Sequence, residues 1–383
     1  MDTLAKIETL GQGARYDLCG ASCGSGMARK RDPLDHWIYP AALPDGRRIL
    51  LLKTLLTNAC QNDCYYCPTR ASAAIRHVTF APEEMARIFV EMLRRGKVQG
   101  LFLSSGIAGG ALRTMDRLLS TAEIVRNRYG FKGYLHLKIM PGAEHSQVEA
   151  AVRLADRVSL NLEAPSAPCL ARIAGKKDFE DDLLGRMRWV KQLADYGLAT
   201  PAGQTTQFVV GAADESDQEL LTTTDGLYRQ VGLRRAYFSA FQPVRGTPLE
   251  DHPPTPVLRE HRLYQADFLF RQYGFQPEEL IFDRQGHLPL STDPKLLWAQ
   301  HHPEWFPLEV NSASREQLLR VPGIGPRAAG RLLTMRREGR LRSLEVLKAA
   351  GAVMTRAAPY VLLDGRAGAP RQMALWENGL SNS

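Results

Sequence analysis

Ala59-Cys60-Gln61-Asn62-Asp63-Cys64-Tyr65-Tyr66-Cys67-Pro68 sets three cysteines within eight residues, at the spacing C-x3-C-x2-C. The run follows directly on an apolar stretch, Ile49 to Leu56, so it reads as the loop leaving a strand. Three thiolates in one loop make a soft-metal site, because thiolate sulfur selects zinc, copper(I) or iron–sulfur clusters. A structural zinc site wants four ligands closed around the metal. The nearest further candidate along the chain is His77, ten residues on. An iron–sulfur cluster held by three cysteines leaves one iron open to a ligand that is not protein. Zinc, incidental thiols and a three-cysteine cluster are all compatible with this spacing.

Outward from the loop, from about Arg47, strand-like and helix-like stretches alternate in the rhythm that builds a parallel sheet. The pattern predicts strands at Ile49–Thr57, Gly100–Ser104, Gly133–Met140, Arg157–Glu163, Thr205–Gly211 and Arg235–Phe241. It predicts helices at Pro82–Arg95, Met115–Tyr129, Ser146–Ala155, Phe179–Asp195 and Asp217–Val231, the first with Met85, Ile88, Phe89 and Met92 on one face. Six parallel strands joined by right-handed crossovers close, or nearly close, the sheet. Alternation puts His136 with Lys138 on one face, Ser159 with Asn161 and Glu163, and Thr205 with Gln207. The opposite faces are apolar: Leu135, Leu137 and Ile139, then Val158, Leu160 and Leu162. The polar set is expected to face the lumen and the apolar set to lie under the helices. Buried polar groups cost free energy unless paired, so a polar lumen points to a polar ligand or to a self-satisfied network.

The motif Cys60-x3-Cys64-x-Tyr66-Cys67 resembles the signature of the radical SAM superfamily, including the aromatic residue before the last cysteine. The resemblance implies a [4Fe-4S] cluster on Cys60, Cys64 and Cys67, with S-adenosylmethionine chelating the fourth iron. It also implies reductive cleavage to a 5′-deoxyadenosyl radical that takes hydrogen from substrate, and a partial (β/α)6 barrel as the fold. Tyr66 would pack by the adenine. Ser104-Ser105-Gly106 stands where the family usually reads Gly-Gly-Glu, so hydroxyls or carbonyls replace the carboxylate on the methionine amino group. Asn161 and Glu163 look like the family's ribose-contacting pair. Val209-Val210-Gly211 is similar to the segment passing the adenine, with Val210 as the contact. Phe241 to Pro248 resembles the segment closing the sixth strand. Lys138 joins the cofactor-binding set through its lumen-facing position.

A second motif lies near the other end. Asn311 to Leu333 reads helix, tight hairpin, helix, with Ser314 capping the first helix and Gln317 three residues on. Val321-Pro322-Gly323-Ile324-Gly325-Pro326 forms the turn, whose glycines permit backbone geometry closed to other residues and let amides approach a phosphate. The next helix begins there, so its dipole adds to an anion site. The segment resembles the helix-hairpin-helix module, which implies a sequence-independent grip on DNA through Gly323, Ile324 and Gly325, with Arg327 and Arg331 on adjacent phosphates, and Arg336 and Arg337 also available. Ser314 to Arg342 carries a surplus of six positive charges out of a net +8, whereas the first 300 residues are nearly balanced. A basic partner surface therefore belongs to the C-terminal part.

The remaining stretches say less. Cys19 and Cys23 offer two ligands at x3 spacing and read as free thiols in a Gly/Ser-rich loop, followed by Arg29, Lys30 and Arg31. Trp298 to Phe306, with His301 and His302, reads as an aromatic packing seam between domains. With 383 residues, 44 % hydrophobic and 23 % charged, the chain suits one large core plus a small second domain. Its longest apolar runs are far short of a membrane span, its start lacks a secretion pattern, and its clustered thiols favour a reducing, cytoplasmic setting.

These readings divide the chain into an N-terminal extension (1–45), a radical SAM barrel (46–250), a linker and barrel-packing segment (251–305), a small all-α helix-hairpin-helix DNA-binding domain (306–365) and a tail (366–383). The combination resembles the branch of radical SAM proteins assigned to DNA modification or repair and linked to uracil-DNA-glycosylase-type partners. It implies a radical enzyme acting on a nucleotide in DNA, with an electron donor of flavodoxin or ferredoxin type. No catalytic residue is identified. The rival readings are an RNA-modifying radical SAM enzyme and a non-catalytic DNA-binding iron–sulfur redox sensor.

Overall fold

The computed structural model describes residues 3–14, 38–42 and 48–367. The chain falls into two compact units, Met1–His261 and Arg262–Ser383. In the first, helix α1 (Thr3–Ala14) precedes a seven-stranded sheet whose spatial order follows the chain. Its strands are β1 (Ile38–Ala42), β2 (Arg48–Leu55), β3 (Gly100–Ser104), β4 (Tyr134–Lys138), β5 (Arg157–Ser159), β6 (Gln204–Val210) and β7 (Leu233–Ala240). From β2 to β7 every pair is parallel, as the sequence pattern predicts. The sheet is a curled, open half-barrel, with β1 and β7 at its edges.

The correction is β1, which pairs antiparallel with β2 and lies in the stretch assigned to the N-terminal extension. Pro40 sits in its middle and cannot donate to a ladder, which marks an edge strand and hides it from a pattern search. Between strands run α2 (Pro82–Arg94), α3 (Ala111–Glu123), α4 (His145–Leu154), α5 (Ala167–Ala174), α6 (Gly185–Asp195) and α7 (Asp217–Gln230). Two helices expected as single pieces are divided: Ile124–Arg128 and Phe179–Leu184 form wider, π-type turns. The apolar strand faces bury as expected, with Leu135, Leu137, Val158, Leu162 and Phe208 nearly inaccessible, and α2 contributes Met85, Ile88, Phe89 and Met92.

The division falls within helix α8 (Val257–Phe268). The second unit then holds α9 (Pro294–His301), β8 (Leu308–Glu309), α10 (Arg315–Arg320), α11 (Pro326–Glu338), α12 (Leu344–Ala349), α13 (Met354–Ala357), β9 (Val361–Leu363) and β10 (Arg366–Ala367). Its three-stranded sheet, β10-β9-β8, corrects the all-α expectation, because strands of two or three residues are too short to show alternation. Trp298 stacks on His302 and meets Phe275, Trp305 and Phe306 edge-on, so the aromatic run packs inside this unit.

Two turns in this unit echo each other. Leu318 to Ala329 and Val346 to Ala357 match at a spacing of 28, with Gly323 (φ 82°) and Gly351 (φ 96°) equivalent. The Val353 amide donates to the Gly323 carbonyl at 2.9 Å, which ties the turns together. Beneath the first turn, the buried Lys295 ammonium donates to the Ile324 carbonyl at 2.6 Å and lies 4.6 Å from the Tyr273 ring centre.

Burial, and then Arg356, pushes the Lys295 pKa down to about 7 from an ordinary 10.5. Between those values the folded chain binds fewer protons than the unfolded one, so stability rises with pH across that window. Lys295→Met abolishes this dependence and forfeits a hydrogen bond of about 1 kcal/mol. Its stability is expected to gain most over wild type below about pH 7, by on the order of a few kcal/mol, with the gap closing toward pH ~10. A gap constant with pH contradicts the buried charge.

Candidate functional site

The cysteine loop is built by backbone bonds to its surroundings. The Gly106 amide donates to the Thr57 carbonyl at 2.8 Å, the Gln61 amide to Ile107 at 2.7 Å, and the Tyr65 amide to Ile173 at 2.8 Å. Gly106 lies so close to the start of the loop that a Cβ there would sit 2.3 Å from the Ala59 carbonyl oxygen. Asp63 accepts from Arg70 Nε at 2.6 Å and from the Ser72 hydroxyl at 3.1 Å, and the Arg70 bond holds its carboxyl below the usual range. The loop is thus fixed from both sides before any ligand binds.

Its three thiols open into one cavity of about 290 Å³. Of the residues expected at the cofactor, Tyr66, Ser104, Ser105, Gly106, Lys138, Asn161 and Glu163 all line this cavity with Cys60, Cys64 and Cys67. Val210 does not; it is fully buried, and Val209 takes its place. Alternation explains this, since Gln207 and Val209 share the lumen face and Val210 turns into the core. The Ser105 hydroxyl is engaged by the Gly106 carbonyl at 2.7 Å. Phe241, Gln242 and Val244 close one side. Cys19 and Cys23 lie outside the described residues.

Glu163 is held under strain. Its φ of 66° is in the left-handed region, which non-glycine residues rarely enter and which costs on the order of 1–3 kcal/mol. Its amide donates to Gln207, and its carbonyl accepts from Val209. The carboxylate pairs with Lys177 at 3.1 Å, both side chains under 10 % exposed. Burial alone would depress the Lys177 ammonium, but Cys64 and Glu163 outweigh it and hold the pKa above the usual lysine range. Burial, with the Glu163 carboxylate and a hydrogen bond to it, pushes the Tyr66 phenol well upward. Lys177, Glu163, Tyr66 and the thiols therefore form one electrostatic unit.

Sequence reasoning missed Lys177. It follows Lys176 in an unpatterned turn, and nothing in the sequence says which of the two points inward; Lys176 is exposed.

The donor set fits a cluster better than a single ion. Cys60, Cys64 and Cys67 are free thiols. Among the described residues, no three His, Cys, Asp or Glu side chains converge tightly enough for one metal ion. A cubane takes its thiolates at separate iron corners, and so asks for ligands around a cavity. His77 is exposed and outside the cavity lining.

The hairpin residues are placed as follows. Ser314 and Gln317 form the reciprocal cap: the Gln317 amide donates to Ser314 Oγ at 3.2 Å and the Ser314 amide to Gln317 Oε1 at 2.8 Å. Ile324 is buried in the turn. A Cβ on Gly323 would lie 2.5 Å from the Val353 carbonyl oxygen, so this position requires glycine. Gly325 differs from the expectation, since its φ of −100° is open to any residue and a Cβ meets only the Tyr273 hydroxyl at 3.3 Å. Neither glycine amide donates to a backbone carbonyl among the described residues. Arg327 and Arg331 are exposed and line a shallow groove along α11 with Gly330 and Thr334.

Residues 54–225 match the family model described as the Radical SAM superfamily. A curated relative, tRNA-2-methylthio-N(6)-dimethylallyladenosine synthase of Bacillus mycoides (strain KBAB4), is 28 % identical over 124 residues, or 32 % of this chain. The match spans only 23 % of that relative's length. Among solved structures, methylornithine synthase (PylB) is 16 % identical, covering 61 % of this chain and 64 % of its own, with a TM-score of 0.46. The radical S-adenosylmethionine methyltransferase TsrM of Kitasatospora setae is 15 % identical, covering 64 % and 41 %, with a TM-score of 0.41. Nothing about this chain's reaction follows from likenesses so distant. Over residues 54–225 the chain is similar to the Radical SAM superfamily, whose members are enzymes that use a [4Fe-4S] cluster and S-adenosylmethionine.

Proposed function

We propose that the chain is a radical enzyme acting on a nucleotide in DNA. The observation that carries the reading is the hairpin: two uncommitted glycine amides at the start of α11, beside the exposed Arg327 and Arg331. Amides at a helix N-terminus with flanking arginines suit a phosphate backbone. When bound, the cluster and S-adenosylmethionine supply a 5′-deoxyadenosyl radical. Cys60, Cys64 and Cys67 hold the cluster, while Glu163, braced by Lys177, and Asn161 orient the nucleoside part of the cofactor. Ser104, Gly106 and Lys138 line the adjoining wall, and Tyr66 and Val209 flank the adenine. A base inside a duplex cannot enter such a lumen, so the target is extruded or single-stranded. A low-potential electron donor is required. Among the described residues no helix is long and apolar enough to cross a membrane.

One observation favours RNA as the second reading: the curated relative's name is that of a tRNA-modifying synthase. Binding measurements separate the two. Gly323→Val, forced into positive φ against the Val353 carbonyl, is expected to weaken DNA binding on the order of tenfold or more. Gly325→Ala is expected to be mild. Arg327→Ala should lower affinity for all sequences alike and reduce the salt slope by about one unit. Wild-type DNA affinity in both Gly323→Val and Arg327→Ala would assign the hairpin to protein contact. Tighter binding of transfer RNA than of DNA, lost in the same variants, would establish the RNA reading.

A further inference from the structure

Behind the cavity, the parallel strands of the first unit send a second tier of side chains into the lumen. Register sets Lys53 beside Phe102, Phe102 beside His136, and His136 beside Arg157. One step nearer the cavity, Ser159 pairs with Thr205 and Thr205 with Arg235. Lys138 and Gln207 line the cavity, so alternation places His136 and Thr205, two positions back, on the same face. His136 meets the Phe102 ring edge-on at 4.5 Å, and the Lys53 ammonium lies 5.9 Å from that ring's centre.

Three features of this tier agree. Both ring nitrogens of His136 and the hydroxyls of Thr205 and Ser104 are buried with no hydrogen-bond partner among the described residues. All three residues are at most 1 % exposed, and each unsatisfied group costs about 1–3 kcal/mol. The charges acting on His136 are all positive: burial first, then Arg157, Lys138 and Lys53, hold the imidazole neutral, well below its usual range. No lumen-facing position of β2 to β7 carries a carboxylate, and Glu163, above β5, is already paired with Lys177. Cations gathered around unsatisfied donors complement an anion with several acceptor oxygens.

We propose that this lower tier is a binding site for a phosphate group of the substrate, with Lys138 and the Ser104 hydroxyl at its entrance and Thr205 and His136 behind. The site takes a phosphate monoester or diester and orients the attached nucleoside toward the thiol loop. It rests on the lumen being the reaction chamber, but not on the hairpin holding DNA. The phosphate of a nucleotide and free inorganic phosphate share this chemistry, and affinity distinguishes them.

The test is calorimetry on the full chain, purified anaerobically with its cluster. Inorganic phosphate, a deoxynucleoside and its 5′-monophosphate are titrated in turn. The monophosphate is expected to bind at least roughly tenfold tighter than the deoxynucleoside, with phosphate alone weaker than the monophosphate. Thr205→Val, nearly isosteric, should weaken phosphate and monophosphate binding roughly five- to tenfold while leaving S-adenosylmethionine affinity within about twofold. Lys138→Met should weaken phosphate by tenfold or more on the same scale. If Thr205→Val loses iron or helical signal, Thr205→Ala, which removes the same hydroxyl without adding a branch, answers the same question.

Equal binding of deoxynucleoside and monophosphate overturns the proposal. So does phosphate binding unchanged in Thr205→Val and Lys138→Met, which means an adventitious ion only. Competition between phosphate and S-adenosylmethionine, with both lost in Lys138→Met, assigns Lys138 to the cofactor's carboxylate instead. Phosphate binding that survives alongside a failure to bind DNA upholds this site and removes the DNA reading, so the two fail separately.

Discussion

Cys64→Ala is expected to strip most of the iron from the anaerobically purified protein, leaving far less than the about four irons per chain that a cubane supplies. Cys64 is 7 % exposed and lines the same cavity as Cys60 and Cys67, so the change removes one of the three proposed cluster ligands. Cys60→Ala and Cys67→Ala should behave alike. Cys169 is the internal control. It is also a buried free thiol, but it sits on α5 outside the cavity lining, and Cys169→Ala should keep its iron. A double change at Cys19 and Cys23 should keep it too. Stoichiometric zinc in the wild-type protein, or full iron in Cys64→Ala, contradicts the ligand assignment.

The second large effect is expected at Lys177. Lys177→Met leaves the Glu163 carboxylate buried without its partner, and breaking such a pair costs about 3–5 kcal/mol. The melting temperature should fall, and S-adenosylmethionine affinity should fall with it. Glu163→Gln in the same chain separates the causes. With both charges gone, stability should recover most of the loss, because replacing a buried pair is far less costly than halving it. Cofactor affinity should stay low, because the double variant has lost the charged side chains proposed to hold the cofactor. Recovery of both together would make the pair purely structural. No recovery of either would show that packing, not charge, is what Lys177 supplies.

Much of the first unit was legible because its signals are periodic. The segments of β4, β5 and β6 alternate, and the lumen-facing polar set emerges from that alternation. The cysteine spacing named its own loop. What escaped had no period to show: Pro40 disguises β1, α5 spans only eight residues, and β8 to β10 are shorter than one alternation. The Val210 assignment failed by one position on a strand, which flips a side chain from lumen to core. Lys177 and the Gly106 approach are tertiary facts, set by where two loops meet. In the hairpin the glycines looked equivalent, but Gly323 alone has positive φ and a backbone oxygen in the way. The echo of that turn around Gly351 is faint in sequence because Val353 and Met354 replace Gly325 and Pro326.

The most direct measurement of the central claim is the fate of S-adenosylmethionine on the reduced protein. Anaerobic wild-type protein with full iron content, given dithionite and S-adenosylmethionine, is predicted to release 5′-deoxyadenosine without any nucleic acid present. Cys64→Ala should release none, whereas Gly323→Val and Arg327→Ala should release it at the wild-type rate, since their changes lie in the second unit. Absence of 5′-deoxyadenosine from iron-replete wild-type protein would contradict the account and leave a cluster that senses rather than reacts.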